Sequence, residues 1–194
     1  MSKISNLCVF CGSKLGENPH FEIAARALGA EMARRGIGLV YGGGGIGLMG
    51  AITDSVLKGG GQVVGVIPEF LMKYEVGNPD VTELIVVDSM HDRKRTMFER
   101  SDGFIVLPGG LGTMDETFEI ITWKQLQQHA KPVVVLDTEG YWQPFEALVD
   151  GIIRGGFAHE GVRGLWTVVD DVEEVFHALE NAPEPAQEVL TSHF

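Results

Sequence analysis

The chain has 194 residues, 44% of them apolar, and a formal net charge of −12. That length fits one domain with enough apolar residues for a real core, and no stretch approaches the roughly 18 consecutive apolar residues of a membrane helix. The acidic balance argues against nonspecific nucleic-acid binding, which rests on neutralising phosphates, and against an anionic membrane surface.

The opening MSKISNLCVF lacks the basic region, long apolar run and small-residue cleavage site of a secretory signal, so a cytoplasmic location is expected. The first strand-like run is LCVF (7–10), followed by CGSKLGEN. Cys8 and Cys11 have C-x-x-C spacing, but Cys8 lies inside the strand run rather than at a helix start, where a reactive thiolate is stabilised. No second cysteine pair completes a zinc set and the six histidines are scattered, so the cysteines read as reduced and structural, and no metal is expected. From Pro19 to Arg35, Phe21, Ala24, Leu28 and Met32 recur at helical spacing, and Gly36 follows as a stop.

IGLVY (37–41) is the second strand run. The glycine loop GGGGIGLMG follows it and leads into a helix from Leu48 to Lys58. VVGVI (63–67) and ELIVV (83–87) are the third and fourth runs. PEFLMKYE follows the third, and DSMHDRK the fourth. Ser89 opens SMHD, read as a capping box for a helix to about Arg100. That helix carries four of the fifteen basic residues, Arg93, Lys94, Arg95 and Arg100. They are either a solvated helix face or the local positive site that an acidic protein needs for a small anionic ligand.

GFIVL (103–107) precedes a second glycine loop, LPGGLGTMDE, where Thr113 opens T-x-x-E, a capping box for a helix containing Phe118, Ile121 and Trp123. PVVVL (132–136), a helical stretch from Trp142 to Arg154, LWTVV (165–169) and a helical stretch from Val172 to Leu179 complete the set. Residues 181–194, with two prolines and no period, read as a mobile end or a partner contact.

Strands rich in Val and Ile alternating with helices predict an α/β fold: a Rossmann-like, doubly wound, mostly parallel sheet of seven strands with helices on both faces. Ligands of such sheets bind beyond the carboxyl ends of the strands, and every unusual loop in this chain follows a strand.

The two glycine loops suggest different chemistry. Gly45, Gly47 and Gly50 spell G-x-G-x-x-G, and Glu69 lies nineteen positions past Gly50, near the ~20 of the dinucleotide fingerprint. An NAD-dependent oxidoreductase is therefore one reading. However, the motif follows the second strand rather than the first, and six glycines in nine residues match it easily. In the second loop, Gly109, Gly110 and Gly112 open the backbone at a helix N-terminus, whose free N–H groups suit a phosphate. G-K-[ST] is missing, so triphosphate hydrolysis is unsupported. Glu116 at that helix start either satisfies a backbone N–H as the third residue of the cap, or is a carboxylate held beside a bound sugar phosphate. In the second case it could stabilise an oxocarbenium-like carbon or activate water.

YGGGGIGLMG, SMHDRKRTM and LPGGLGTMDE together resemble the LOG (Lonely Guy) family, cytokinin riboside 5′-monophosphate phosphoribohydrolases once labelled lysine decarboxylases. The specific elements are P-G-G-x-G-T-x-x-E and M-x-x-R-K in combination, and the resemblance spans roughly residues 5–180. It implies a Rossmann-like catalytic domain over 1–180 with no cofactor, which hydrolyses the N-glycosidic bond of adenosine 5′-monophosphates, often N6-modified. It also implies Arg93 and Glu116 as catalytic residues. Substrate contacts would come from Glu75, Lys94 and Thr122, and from the loop formed by Gly110, Leu111, Gly112, Thr113, Met114, Asp115 and Glu116.

The family's loop commonly has an aromatic residue where this chain has Leu111, and a glutamate where it has Asp115. Family members are commonly homodimers with sites near the interface. The residue-level reading adds Gly109, and Gly43 and Gly44 of the first glycine loop, as phosphate contacts. A noncatalytic nucleotide sensor remains the reading to be separated from the enzyme.

Overall fold

The computed structural model describes residues 4–75, 77–183 and 189. Seven strands form one sheet in the order β4-β3-β2-β1-β5-β6-β7, every pair parallel. The strands are β1 (Asn6–Phe10), β2 (Gly38–Tyr41), β3 (Val63–Pro68), β4 (Glu83–Val87), β5 (Gly103–Val106), β6 (Val133–Leu136) and β7 (Thr167–Val169). The helices are α1 (Pro19–Arg35), α2 (Gly47–Lys58), α3 (Met90–Glu99), α4 (Leu111–Gln125), α5 (Gln143–Arg154) and α6 (Val172–Glu180).

The period of two along each strand divides the core. Leu7 and Val9 of β1, with Val134 and Leu136 of β6, pack with α1, α2 and α6. Cys8 and Phe10, with Val133 and Val135, pack with α3, α4 and α5. Cys8 and Cys11 therefore sit in opposite cores, both as free thiols whose pKa burial drives well above the usual range. The chain reverses its direction of travel across the sheet between β1 and β5, so the crevice above those two strands is where such a fold places its ligand.

Two strand runs stand apart. ELIVV is one of the Val- and Ile-rich runs expected in the parallel sheet; β4 has its bounds but is the edge strand, and Val86 is half exposed. LWTVV loses Leu165 to a 3₁₀ turn over Glu160–Leu165, and Trp166 is that turn's C-cap. There Leu165 fills the core and the Trp166 indole N–H donates to Glu146 Oε1. Of residues 181–194, only 181–183 and Val189 are described, so the reading of that tail lies largely outside the described residues. Among the described residues, no helix is long and apolar enough to cross a membrane.

Candidate active site

A cavity of about 410 Å³ opens at the carboxyl ends of β1, β2 and β5. Val9, Cys11, Met49 and Met97 contribute apolar walls. Its polar groups include Glu75, Arg93, Glu116 and the start of α4 from Gly110 to Thr113.

Arg93 is buried one turn into α3. Ser89 caps that helix as expected, accepting from the Asp92 N–H at 3.1 Å. The reciprocal arm of the box differs, since the Ser89 hydroxyl donates to the Asp92 carboxylate at 2.6 Å. Arg93 Nε donates to the Val66 carbonyl at 3.1 Å, and Nη2 donates to the Gly42 carbonyl at 2.6 Å and to Glu75 Oε2 at 2.8 Å. A side chain at position 42 would collide with that guanidinium, so Gly42 is the glycine that admits it. Carbonyls of two strand ends and one carboxylate thus fix the arginine, and a planar fork held this way is pre-organised for a ligand. Arg95 and Arg100 pair with Asp92 and Glu83 on the surface, as a solvated face requires.

Glu116 does not cap its helix. The T-x-x-E reading places Thr113 at the N-cap, but α4 begins at Leu111, with Gly110 as N-cap and no side-chain cap. Thr113 is buried in the first turn, and its carbonyl accepts from the Thr117 hydroxyl at 2.7 Å. Glu116 therefore belongs to the second turn, beyond reach of the free N–H groups, and no described residue hydrogen-bonds it. Its pKa is pushed up to about 7, chiefly by burial, with Glu75 and Asp115 also raising it and Arg93 pulling it down. Because the helix start is uncapped, the N–H groups of Leu111, Gly112 and Thr113 have no acceptor among the described residues. Three free donors, the positive end of a helix, a buried arginine and a carboxyl group titrating near neutrality thus share one cavity. Such an arrangement is chemically able to seat an anion next to an acid–base group.

The first glycine loop has another task. The Gly45 N–H donates to the Glu75 carbonyl, the Asn78 N–H donates to the Gly43 carbonyl, and Gly44 bridges to Gly77. Gly43 and Gly44 thus fasten the long β3–β4 crossover, which carries Glu75 to Arg93, and neither lines the cavity. Gly47 turns left-handed (φ 63°) with its α-carbon pressed on the Ser13–Lys14 backbone, and Gly50 leaves room for the Gly45 carbonyl. The G-x-G-x-x-G pattern is therefore explained by chain crossings, and Glu69 lies exposed on a 3₁₀ turn after β3.

Other expected contacts also lie outside this cavity. Lys94 Nζ is engaged by Asp115 and Glu119, each at 3.1 Å, tying α3 to α4. Asp115 and Thr122 are exposed on the outside of α4, and Met114 packs against the core. Gly109 lines a neighbouring cavity instead. The residues that sequence reasoning did not single out include Gly12, Ser13, Met49, Phe70 and Met90. The only signal for the first two was that CGSKLGEN follows a strand end. Among the described residues, no group of three His, Cys, Asp or Glu could hold a metal ion.

Residues 49–179 match a protein-family profile described as "Possible lysine decarboxylase". A rice protein (Oryza sativa subsp. japonica), named a probable cytokinin riboside 5′-monophosphate phosphoribohydrolase, is 45% identical over 92% of this chain and 79% of its own length. An Arabidopsis thaliana cytokinin riboside 5′-monophosphate phosphoribohydrolase is 44% identical over 93% of this chain and 84% of its own. Among solved structures, a molybdenum cofactor binding protein from Rippkaea orientalis superposes with a TM-score of 0.68. It is 21% identical and covers 93% of this chain and 98% of its own, a likeness of fold.

Proposed function

The chain belongs to the LOG family of cytokinin riboside 5′-monophosphate phosphoribohydrolases, and we propose that it hydrolyses the N-glycosidic bond of adenosine 5′-monophosphates, N6-modified ones included. Water adds, and free base and ribose 5-phosphate leave. The observation that carries this reading is Glu116, a cavity carboxyl group with no cap to make, raised to about 7 opposite a buried arginine.

The 5′-phosphate rests on the free N–H groups at the start of α4, which fixes the ribose. As the C1′–N9 bond stretches, positive charge grows on the ribose. The ionised Glu116 stabilises it and takes a proton from the attacking water, whose oxygen bonds to C1′ as the electron pair goes to the base; the base takes up one proton in leaving, and Glu116 gives one back, so the two balance. Arg93 holds the ribose or phosphate in line, and Glu75 holds Arg93. The catalytic unit is the single domain over 1–180. A homodimer is consistent with the apolar groups exposed near the mouth, Leu111 at 90% and Phe70 at 55%. In it, Lys94, Asp115 and Thr122, which line neither that cavity nor the one beside it, would approach the cavity of the neighbouring protomer. The cytoplasm is the expected location.

The test is to incubate the purified protein with AMP and with isopentenyladenosine monophosphate and to assay free base by chromatography. Free base is expected from wild type, and at a rate lower by about 10²–10³ from Arg93→Ala and Glu116→Gln. Tight AMP binding without base release would favour the sensor instead, and a fluorescence change with NADH would revive the oxidoreductase.

A further inference from the structure

A second cavity, of about 370 Å³, adjoins the first across Gly12, Ser13 and Gly110, which line both. It lies on the far side of the α4 start, between the β1–α1 loop and the segment after β6, with Lys14 and Tyr141 in its wall. We infer that this second cavity is the outer half of the phosphate site, and that Lys14 supplies the cation that binds the phosphate monoester dianion there, with the Ser13 hydroxyl beside it. The inference rests on the nucleotide reading above, and it adds a residue and a subsite to it.

Three observations carry it. The first is the charge balance. Among the residues lining the two cavities, only Arg93 and Lys14 are cationic, against Glu75 and Glu116. The Arg93 guanidinium already holds Glu75 and two backbone carbonyls. A phosphate monoester brings close to two negative charges at neutrality, and a helix N-terminus answers only about half of one. Lys94, the cation implied by the family resemblance, is occupied by Asp115 and Glu119. Lys14 is the lining cation that remains.

The second is that neither the Lys14 ammonium nor the Ser13 hydroxyl has a partner among the described residues. Both residues are exposed on a loop whose path is nevertheless fixed. The Gly12 N–H donates to the Pro108 carbonyl at 3.0 Å, the Leu48 N–H donates to the Gly12 carbonyl at 3.1 Å, and Gly47 abuts the Ser13–Lys14 backbone. The third is that a carbonyl in the wall of this cavity is engaged. The Gly109 C=O, which would repel an anion at this ridge, accepts from the Tyr141 hydroxyl at 2.5 Å. Tyr141 is in turn held edge-on by Phe21 (centroids 5.2 Å apart) and Trp142 (4.9 Å).

The test compares Lys14→Gln with Lys14→Arg and with Lys58→Gln. Lys58 is an exposed lysine in the last turn of α2, away from the strand carboxyl ends, and its loss changes the net charge equally. Ribose 5-phosphate and inorganic phosphate are titrated by calorimetry, and AMP turnover is measured alongside. Lys14→Gln should weaken both ligands about tenfold and raise the AMP KM by a similar factor, with a smaller change in kcat. Lys14→Arg should restore most of the loss, and Lys58→Gln should match wild type. Unchanged phosphate affinity in Lys14→Gln, or an equal loss in Lys58→Gln, overturns the inference. The titrations need no catalysis. A wild type that binds ribose 5-phosphate through Lys14 yet releases no base from AMP would sink the proposed hydrolysis and leave the subsite standing.

Discussion

The two glycine loops look alike in sequence and do opposite work. After β2, the glycines are filled from the protein side: other backbone presses on Gly47 and Gly50, and the crossover to β4 takes the hydrogen bonds of Gly43 and Gly45. After β5, the space over Gly110 and Gly112 is empty and the N–H groups of the helix start are free. Glycine permits close approach in both places. What differs is whether the approaching group is the protein's own chain or is left for a ligand. A glycine pattern by itself cannot separate the two cases, and so the fingerprint on the first loop carried little weight.

The largest effect expected from breaking this contrast is at Glu116, the acid the second loop leaves without a cap to make. Glu116→Gln should lower turnover by about 10²–10³ with the fold intact. The wild-type rate should rise with pH and level off above about 7, as the carboxyl group ionises, and the variant should lose that limb. The stability effect has the opposite sign. The folded value of about 7 lies above the ordinary ~4.3 of a free glutamate. Between those values the native state holds a proton that the unfolded chain has shed, so stability falls as pH rises through that window. Removing the charge should therefore raise stability at pH 8 by about 1–3 kcal/mol and leave it nearly unchanged at pH 4. Melting temperatures at the two pH values check this, and a variant destabilised at pH 8 would show that Glu116 is structural.

Most of the fold was legible because strand periodicity is a local signal. LCVF, VVGVI, PVVVL and their neighbours name their strands to within a residue or so. What periodicity leaves open, the surroundings decide. ELIVV has the composition of an inner strand, but its place at the sheet edge depends on chain order in space. Thr113 has the sequence of a cap, yet α4 starts three residues earlier, with Gly110 as its N-cap. Of the cavity's charged residues, Arg93 and Glu116 stand in the motifs M-x-x-R-K and P-G-G-x-G-T-x-x-E, and Glu75 was reached only through the family resemblance. Whether a lysine is available was not readable, since Lys94 is occupied by residues 115 and 119 on another helix and Lys14 is not. Ion pairing between helices leaves no trace in the spacing along one of them.

A smaller effect is expected at Gly47, and it separates conformation from contact. Gly47 and Gly36 share a left-handed backbone, φ 63° and 68°. An added Cβ at Gly36 meets nothing within 4 Å, whereas at Gly47 it runs into the Ser13–Lys14 backbone. Gly36→Ala should cost only the conformational penalty, about 1 kcal/mol. Gly47→Ala should cost that and a displacement of the β1–α1 loop, about 2–3 kcal/mol in all, read by denaturant unfolding. Equal costs would mean that the crossing of the two loops is loose.

The smallest effect, and the one that bears most directly on the second loop, is expected at Gly112. It lies in the first turn of α4, faces the cavity and has open space where a Cβ would go. Alanine is the better helix former by roughly 0.5–1 kcal/mol, so Gly112→Ala should melt slightly higher than wild type. The same methyl group stands where a phosphate must approach the N–H groups, so the AMP KM should rise several-fold. A protein made more stable and less able to bind its substrate is the signature of a glycine kept for a ligand. If Gly112→Ala bound AMP as wild type does, the phosphate would have to sit elsewhere along the crevice. If it lost stability as Gly47→Ala should, the two loops would not differ in kind.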